Sequence, residues 1–211
     1  VARQGSHGGG TGQPADWFTL AGIDQLFDRY PELKGKFVYL QVGVPTRTPL
    51  HEYKALSEQI EENVESINWK HQDGAWMPII YRKSYHSPQS LHWLYRQADI
   101  CIVTSLHDGM NLVAKEYVAA QVESKGVLVL SEFTGAAREL LQALIVNPYA
   151  IDETVAAIYQ ALTMSQEERF RRMEALRGTV RDHNVYHWAR EIIENVHRIE
   201  KNGSLPATAI L

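Results

Sequence analysis

"DICIVTSLHDGMNLVAKEYVAAQVESKGVLVLSE", residues 99–132, changes its apolar period twice. "DICIVTS" and "GVLVLSE" are continuous apolar runs of strand length. Between them "MNLVAKEYVAAQ" repeats its apolar residues at helical spacing. A strand, a helix and a strand in that order make a parallel crossover unit. Strands without polar alternation belong to a sheet covered on both faces.

The same alternation extends in both directions. Upstream, a helix begins at Asp16 and ends near Pro31, with Phe18, Ile23, Leu26 and Phe27 along it. "KFVYLQVGV" (36–44) reads as a strand closed by Pro45 and Pro49, and residues 51–68 as an amphipathic helix striped by Tyr53, Leu56, Ile60, Val64 and Ile67. "MPIIY" is a short strand after the Asp73-Gly74 turn, and a helix starts at Ser87-Pro88. Downstream, "GAARELLQ" (135–142) reads as a helix, "ALIVNP" as a strand and "DETVAAIYQALTM" as a helix, followed by charged helical sequence from Ser165 to Lys201. The fold class is α/β: a doubly wound, Rossmann-like parallel sheet.

Residues 1–14 carry five glycines, and "GSH" resembles the scar of an expression tag, so they are expected to be flexible and outside the fold. Residues 15–202 then form one Rossmann-like domain with C-terminal helices, and 203–211 a loose tail. A net charge of −4 makes no case for nucleic acid. No apolar run nears the roughly 18 residues of a membrane span. The single cysteine, Cys101, lies in the apolar run "ICIV" and reads as a core thiol. With no disulfide possible within one chain, a cytoplasmic location is expected. The sequence is compatible with a homo-oligomer.

In doubly wound sheets ligands sit beyond the carboxyl ends of the strands. That rule selects three loops: Gly43 to Thr48, Ser105 to Asn111 and Ser131 to Gly135. In the second, Asp108-Gly109 makes a turn at the mouth of a helix, and Gly109 permits close approach of a ligand. The amides of Met110, Asn111 and Leu112 are expected to stand free at the helix N-terminus, an anion site suited to a diphosphate. Asp108 would accept hydrogen bonds from neighbouring hydroxyls. Glu116 falls four residues after Leu112 on the same helix face and could accept two ribose hydroxyls. A hydroxylated ring, a diphosphate and a ribose together describe a sugar nucleotide. On spacing alone, Asp108 reads equally as a turn residue or cap, and Glu116 as the partner of a lysine.

"DGMNLVAKEYVAAQ" followed by "GVLVLSEFTGAARELLQALIVNPY" resembles the C-terminal half of the trehalose-6-phosphate synthases, retaining glycosyltransferases of two Rossmann-like domains, the GT-B architecture. The similarity is dense from Ser105 to Met164 and continues more weakly from about Ile23 to the last helix. It implies a donor site for UDP-glucose: Asp108 on the glucose hydroxyls as the catalytic contact, Gly109, Met110, Asn111 and Leu112 on the diphosphate and sugar, and Glu116 on the ribose. "VPTRT" resembles the family's "VPSRT", which makes Arg47 the candidate for the phosphate of the acceptor, glucose-6-phosphate. A guanidinium fork suits phosphate oxygens. The implied reaction moves glucose to that acceptor, giving trehalose 6-phosphate with retention of configuration. No cofactor is implied beyond the nucleotide-sugar substrate. A related synthase with another phosphorylated acceptor, such as glucosylglycerol-phosphate synthase, would share these motifs.

The sequence departs from the family in one place. The pattern "RxDxxKG", whose arginine and lysine face the leaving diphosphate, has no counterpart in "VARQGSHGGGTGQPADWF". Arg3 is the arginine candidate, but the first lysine is Lys34. The acceptor-binding N-terminal domain is also absent, so a non-catalytic sugar-nucleotide-binding or regulatory module is a second reading. His183 and His187 stand at i and i+4 without a third ligand. They read as packing or capping residues, not a metal site, with Trp188 in the domain core. Glu132 and Glu139 read as structural or solvated.

Overall fold

The computed structural model describes residues 2–3, 15–43 and 51–202. All strand pairings are parallel. β1 (Ala2–Arg3) pairs with β2 (Tyr39–Val42), which pairs with β3 (Ile79–Arg82). β4 (Ile100–Val103) pairs with β5 (Val127–Ser131), which pairs with β6 (Leu144–Val146). β1 lies against β4 and joins the two ladders. The strand order is therefore 3-2-1-4-5-6, the doubly wound order, with its reversal of direction between β1 and β4.

This arrangement corrects one expectation. Residues 1–14 were read as lying outside the fold, yet Ala2 and Arg3 pair with Gln41 and Val42 at the centre of the sheet. Two residues are too few to show strand periodicity beside a glycine-rich run, so only tertiary pairing reveals them.

The helices divide between the two faces. α1 (Ala15–Arg29) packs on α2 (His51–His71) and α5 (Ile151–Thr163). On the other face α4 (Leu112–Ala120) packs on α3 (Pro88–Gln97) and α6 (Gln166–Asp182). α7 (Val185–Asn202) ends the described chain. Each strand feeds both layers because successive side chains point to opposite faces. Ile102, Val127 and Val129 join Leu20, Ile23, Val64, Val155 and Ile158. Cys101, Val103, Leu128 and Leu130 join Leu91, Tyr95, Tyr117, Val118, Met173 and Leu176. This double burial explains the unbroken apolar runs. It also makes Cys101 inert: the thiol is fully buried, and desolvation pushes its pKa up to about 12.

Local signals set the helix ends. Ser87 and Ser165 cap α3 and α6 by accepting from the amides of Ser90 and Glu168. "GAARELLQ" was expected to be a helix, but only Gly135–Arg138 is helical, as a 3₁₀ turn. The Gly135 N–H is drawn across to the Asp108 carbonyl, and the chain must enter β6 at Leu144. The charged C-terminal run divides into α6 and α7 at His183 and Asn184, with His183 at the C-cap of α6. No helix among the described residues is long and apolar enough to cross a membrane.

Candidate functional site

The reversal between β1 and β4 places the ligand crevice beyond the carboxyl ends of these strands. The loop from Thr104 to Asn111 leaves β4 at that point. It is joined edge to edge with the loop leaving β5. The Asp108 N–H donates to the Phe133 carbonyl at 3.4 Å, and the Gly135 N–H donates to the Asp108 carbonyl at 2.9 Å. Asp108 and Thr134 thus form a parallel bridge beyond the ends of their strands. Gly135 has no room for a side chain: a Cβ there would stand 2.0 Å from the Gly109 carbonyl oxygen. Ser131 and Thr134 hold the second loop from beneath. The Ser131 hydroxyl accepts from the Phe133 N–H at 3.1 Å, and the Thr134 hydroxyl donates to the Ser131 carbonyl at 2.9 Å.

The Asp108 side chain turns inward on its own loop. Oδ1 accepts from the amides of Met110, at 3.2 Å, and Asn111, at 2.9 Å. Oδ2 accepts from Asn111 Nδ2 at 2.9 Å. The expectation that the Met110 and Asn111 amides stand free is therefore corrected: in this structure the aspartate holds both. Aspartate forms such turns readily because its carboxylate reaches the backbone two and three residues on. The amides of Leu112 and Val113, in the first turn of α4, take no acceptor among the described residues.

Asn111 carries the strain of the turn. Its φ is 54°, in the left-handed region, while Gly109 is not among the positive-φ residues. Asparagine tolerates this conformation better than other chiral residues. The buried side chain repays it, accepting from the Ala114 N–H at 2.9 Å as the N-cap of α4 and donating to the Ser105 hydroxyl at 3.3 Å. Sequence reasoning assigned the conformational freedom to Gly109 and gave Asn111 only an amide. The "D-x-x-N" spacing before a helix was the signal for the cap. Gly109 is exposed with open space around it, consistent with close approach by a ligand.

Glu116 is exposed, one helical turn beyond Leu112 on the same face of α4. The apolar run around it suggested burial, but that run faces inward through Ala114, Tyr117, Val118 and Ala120. The neighbouring Lys115 pairs with Glu139 at 2.8 Å, and Glu139 also receives His183 Nδ1 at 3.5 Å. His183 and His187 stack with ring centres 5.1 Å apart. Glu132 is exposed. His107, also exposed, lies 6.3 Å from Phe133, which meets Tyr149 edge-on at 5.8 Å along the same rim.

Arg47 lies in 44–50, outside the described residues, as do the side chains of Arg3 and Trp188. The Arg3 backbone ends β1, at the carboxyl edge of the switch point. Lys34 follows the 3₁₀ turn Pro31–Leu33 that leads into β2, so it stands at the opposite edge of the sheet. The group with metal-ligand character among the described residues, Asp24, Asp28 and His71, belongs to α1 and α2. Its charge is already met by Lys70, at 2.9 Å from Asp24 and 2.6 Å from Asp28. It reads as a helix-to-helix tie.

The family model for glycosyltransferase family 20 matches residues 19–198. A Dictyostelium discoideum protein named alpha,alpha-trehalose-phosphate synthase A, UDP-forming, is 40% identical over 183 residues, which are 87% of this chain and 25% of that protein. The Escherichia coli structure described as "Trehalose-6-phosphate from E. coli bound with UDP-2-fluoro glucose" superposes with a TM-score of 0.83 at 36% identity, over 92% of this chain and 42% of that one. A Burkholderia xenovorans UDP-forming alpha,alpha-trehalose-phosphate synthase in complex with glucose-6-phosphate gives a TM-score of 0.83 at 36% identity, over 88% and 41%. The chain thus spans between a quarter and a half of these relatives.

Two outcomes are expected from the geometry. Asp108→Ala releases the Met110 and Asn111 amides, so their hydrogen exchange accelerates about tenfold or more while the core melts cooperatively, about 1 kcal/mol less stable. Unchanged exchange at those amides would mean that the carboxylate does not hold the loop. The second concerns Asp16, half-buried in the first turn of α1, where desolvation raises its pKa to about 6. A raised acid is most favourable to the fold below its unfolded pKa near 4, and that contribution is lost as pH rises through 6. Asp16→Asn therefore gains about 2 kcal/mol at pH 7.5 relative to its effect at pH 4, measured by urea melts at both. An equal effect at the two pH values would contradict the burial of that carboxyl.

Proposed function

Since the chain belongs to glycosyltransferase family 20, we propose that it is the donor-binding part of a retaining hexosyltransferase that moves glucose from UDP-glucose to glucose-6-phosphate, giving trehalose 6-phosphate. The observation that carries this reading is the paired β4 and β5 loops at the switch point, which present the first turn of α4 to a ligand. The free amides of Leu112 and Val113 and the open side of Gly109 receive the diphosphate, aided by the positive end of the helix. Met110 and Asn111 shape this surface through their bonds to Asp108. A carboxylate has about four lone-pair sites, so Asp108 Oδ2 can still accept a hydroxyl of the donor glucose. Glu116, exposed one turn further along, is placed to accept the ribose hydroxyls.

Catalysis in this reading rests on positioning and on stabilising the departing diphosphate. The acceptor hydroxyl attacks on the face the diphosphate leaves from, and the diphosphate itself takes the proton. The carboxylates near the site hold hydroxyls and backbone, not a glycosidase-type acid and base. Arg47 is the proposed contact for the acceptor phosphate.

One observation favours a second reading, a sugar-nucleotide-binding module without turnover. No lysine precedes α1, and Lys34 stands at the far edge of the sheet. Release of UDP by the chain joined to the remainder of its polypeptide, with glucose-6-phosphate present, distinguishes the two.

The donor site itself is tested by calorimetric titration with UDP-glucose. The chain is expected to bind, and Glu116→Gln to weaken binding about tenfold while the domain still melts cooperatively. Unchanged affinity would remove Glu116 from the site.

A further inference from the structure

The loop that carries Asp108 alternates in exposure. His107 and Gly109 are exposed, and Asp108 between them is half-buried. The chain is locally extended here, since Asp108 bridges to Thr134 in parallel register. In extended backbone successive residues face opposite sides, so His107 shares the open side of Gly109. The loop is also pinched at its base. Asn111 Nδ2 donates to the Ser105 hydroxyl at 3.3 Å, and the Asn111 amide donates to Asp108 Oδ1 at 2.9 Å. His107 is therefore held beside the first turn of α4.

The charged groups around this imidazole leave it available to a ligand. Its ring meets Phe133 at 6.3 Å, and unlike His71 and His183 it pairs with no carboxylate among the described residues. On its own loop, the Asp108 carboxylate is taken up by the Met110 and Asn111 amides and by Asn111 Nδ2. Glu132 on the β5 loop and Glu116 on α4 are exposed, where water screens them. Lys115 is held by Glu139, and Arg138, exposed at the end of the 3₁₀ turn, keeps its charge at every ordinary pH. Through Phe133, Tyr149 and Phe18 the rim reaches the start of α1, where Asp16 loses its proton at about pH 6.

We infer that His107, in its protonated form, is a contact of the donor diphosphate, so that the site holds a nucleotide sugar more tightly in acid than in alkali. This rests on the donor reading given above. Histidine is the side chain that changes charge between about pH 5 and pH 8. The diphosphate of a nucleotide sugar is esterified at both ends and keeps both charges over that range. A change in affinity across it therefore comes from the protein. Protonated, the ring donates from both nitrogens and adds a positive charge beside the Leu112 and Val113 amides. Deprotonated, it keeps one donor and no charge.

The test is calorimetric titration with UDP-glucose at about pH 5.5 and pH 8, at constant ionic strength. Every chain compared carries Asp16→Asn, so that this carboxyl contributes nothing to the pH dependence. With His107 present, affinity should fall about fivefold from the lower pH to the higher. His107→Gln should bind with the weaker constant at both, and His107→Arg with the tighter constant at both. Cooperative melts of all three separate a lost contact from a lost fold. No pH dependence with His107 present, an equal dependence in His107→Gln, or an arginine chain as weak as the glutamine one would overturn the inference while leaving the donor reading in place. No binding of UDP-glucose at either pH would overturn both.

Discussion

Asp108 is the one residue through which every part of the site passes. Its backbone continues the β4–β5 pairing beyond the end of the sheet, and its carboxylate folds the next three residues into the start of α4. If either half of this linkage is lost, the first turn of α4 loses its fixed position over the crevice. The constraint reaches into the neighbouring loop, since Gly135 must lack a side chain for the Gly109 carbonyl to lie against it. Two glycines, one aspartate and one left-handed asparagine thus set the shape that the helix presents. A preorganised backbone site of this kind needs little rearrangement when an anion arrives.

The electrostatics of that surface are unusual for a diphosphate site. Lys115, the nearest lysine in sequence, is committed to Glu139, and Lys34 stands across the sheet. Neither lysine faces the first turn of α4, where the backbone amides and the helix end make a modest contribution at an exposed site. The active-enzyme reading asks for more positive charge than the helix end supplies by itself, while the binding-module reading does not. That is why the departure from "RxDxxKG" bears on catalysis more than on donor binding.

Much of the fold was legible because double burial writes itself as unbroken apolar runs. "DICIVTS" and "GVLVLSE" became β4 and β5, and the helices between strands followed from spacing. β1 was hidden because two residues carry no period. The shortening of "GAARELLQ" to a single 3₁₀ turn depends on a hydrogen bond to Asp108, a residue 27 positions before Gly135. The location of the site was readable from the switch-point rule. Its inner wiring was not: the sequence suggested free amides at Met110 and Asn111, whereas a local competitor, the aspartate carboxylate, already holds them. Glu116 illustrates the opposite limit, since an apolar run around a residue says which faces are buried and not that every position is.

The central claim is that the first turn of α4, set by Asp108, is where the diphosphate of the donor binds. The most direct measurement is a titration of the isotope-labelled chain with UDP-glucose, followed by amide chemical shifts. Saturable shifts concentrated at Gly109, Leu112, Val113 and Glu116, with the α1–α2 tie at Asp24 and His71 unmoved, are the predicted result. Saturable shifts centred elsewhere on the domain, with the α4 N-terminus unchanged, would contradict the account.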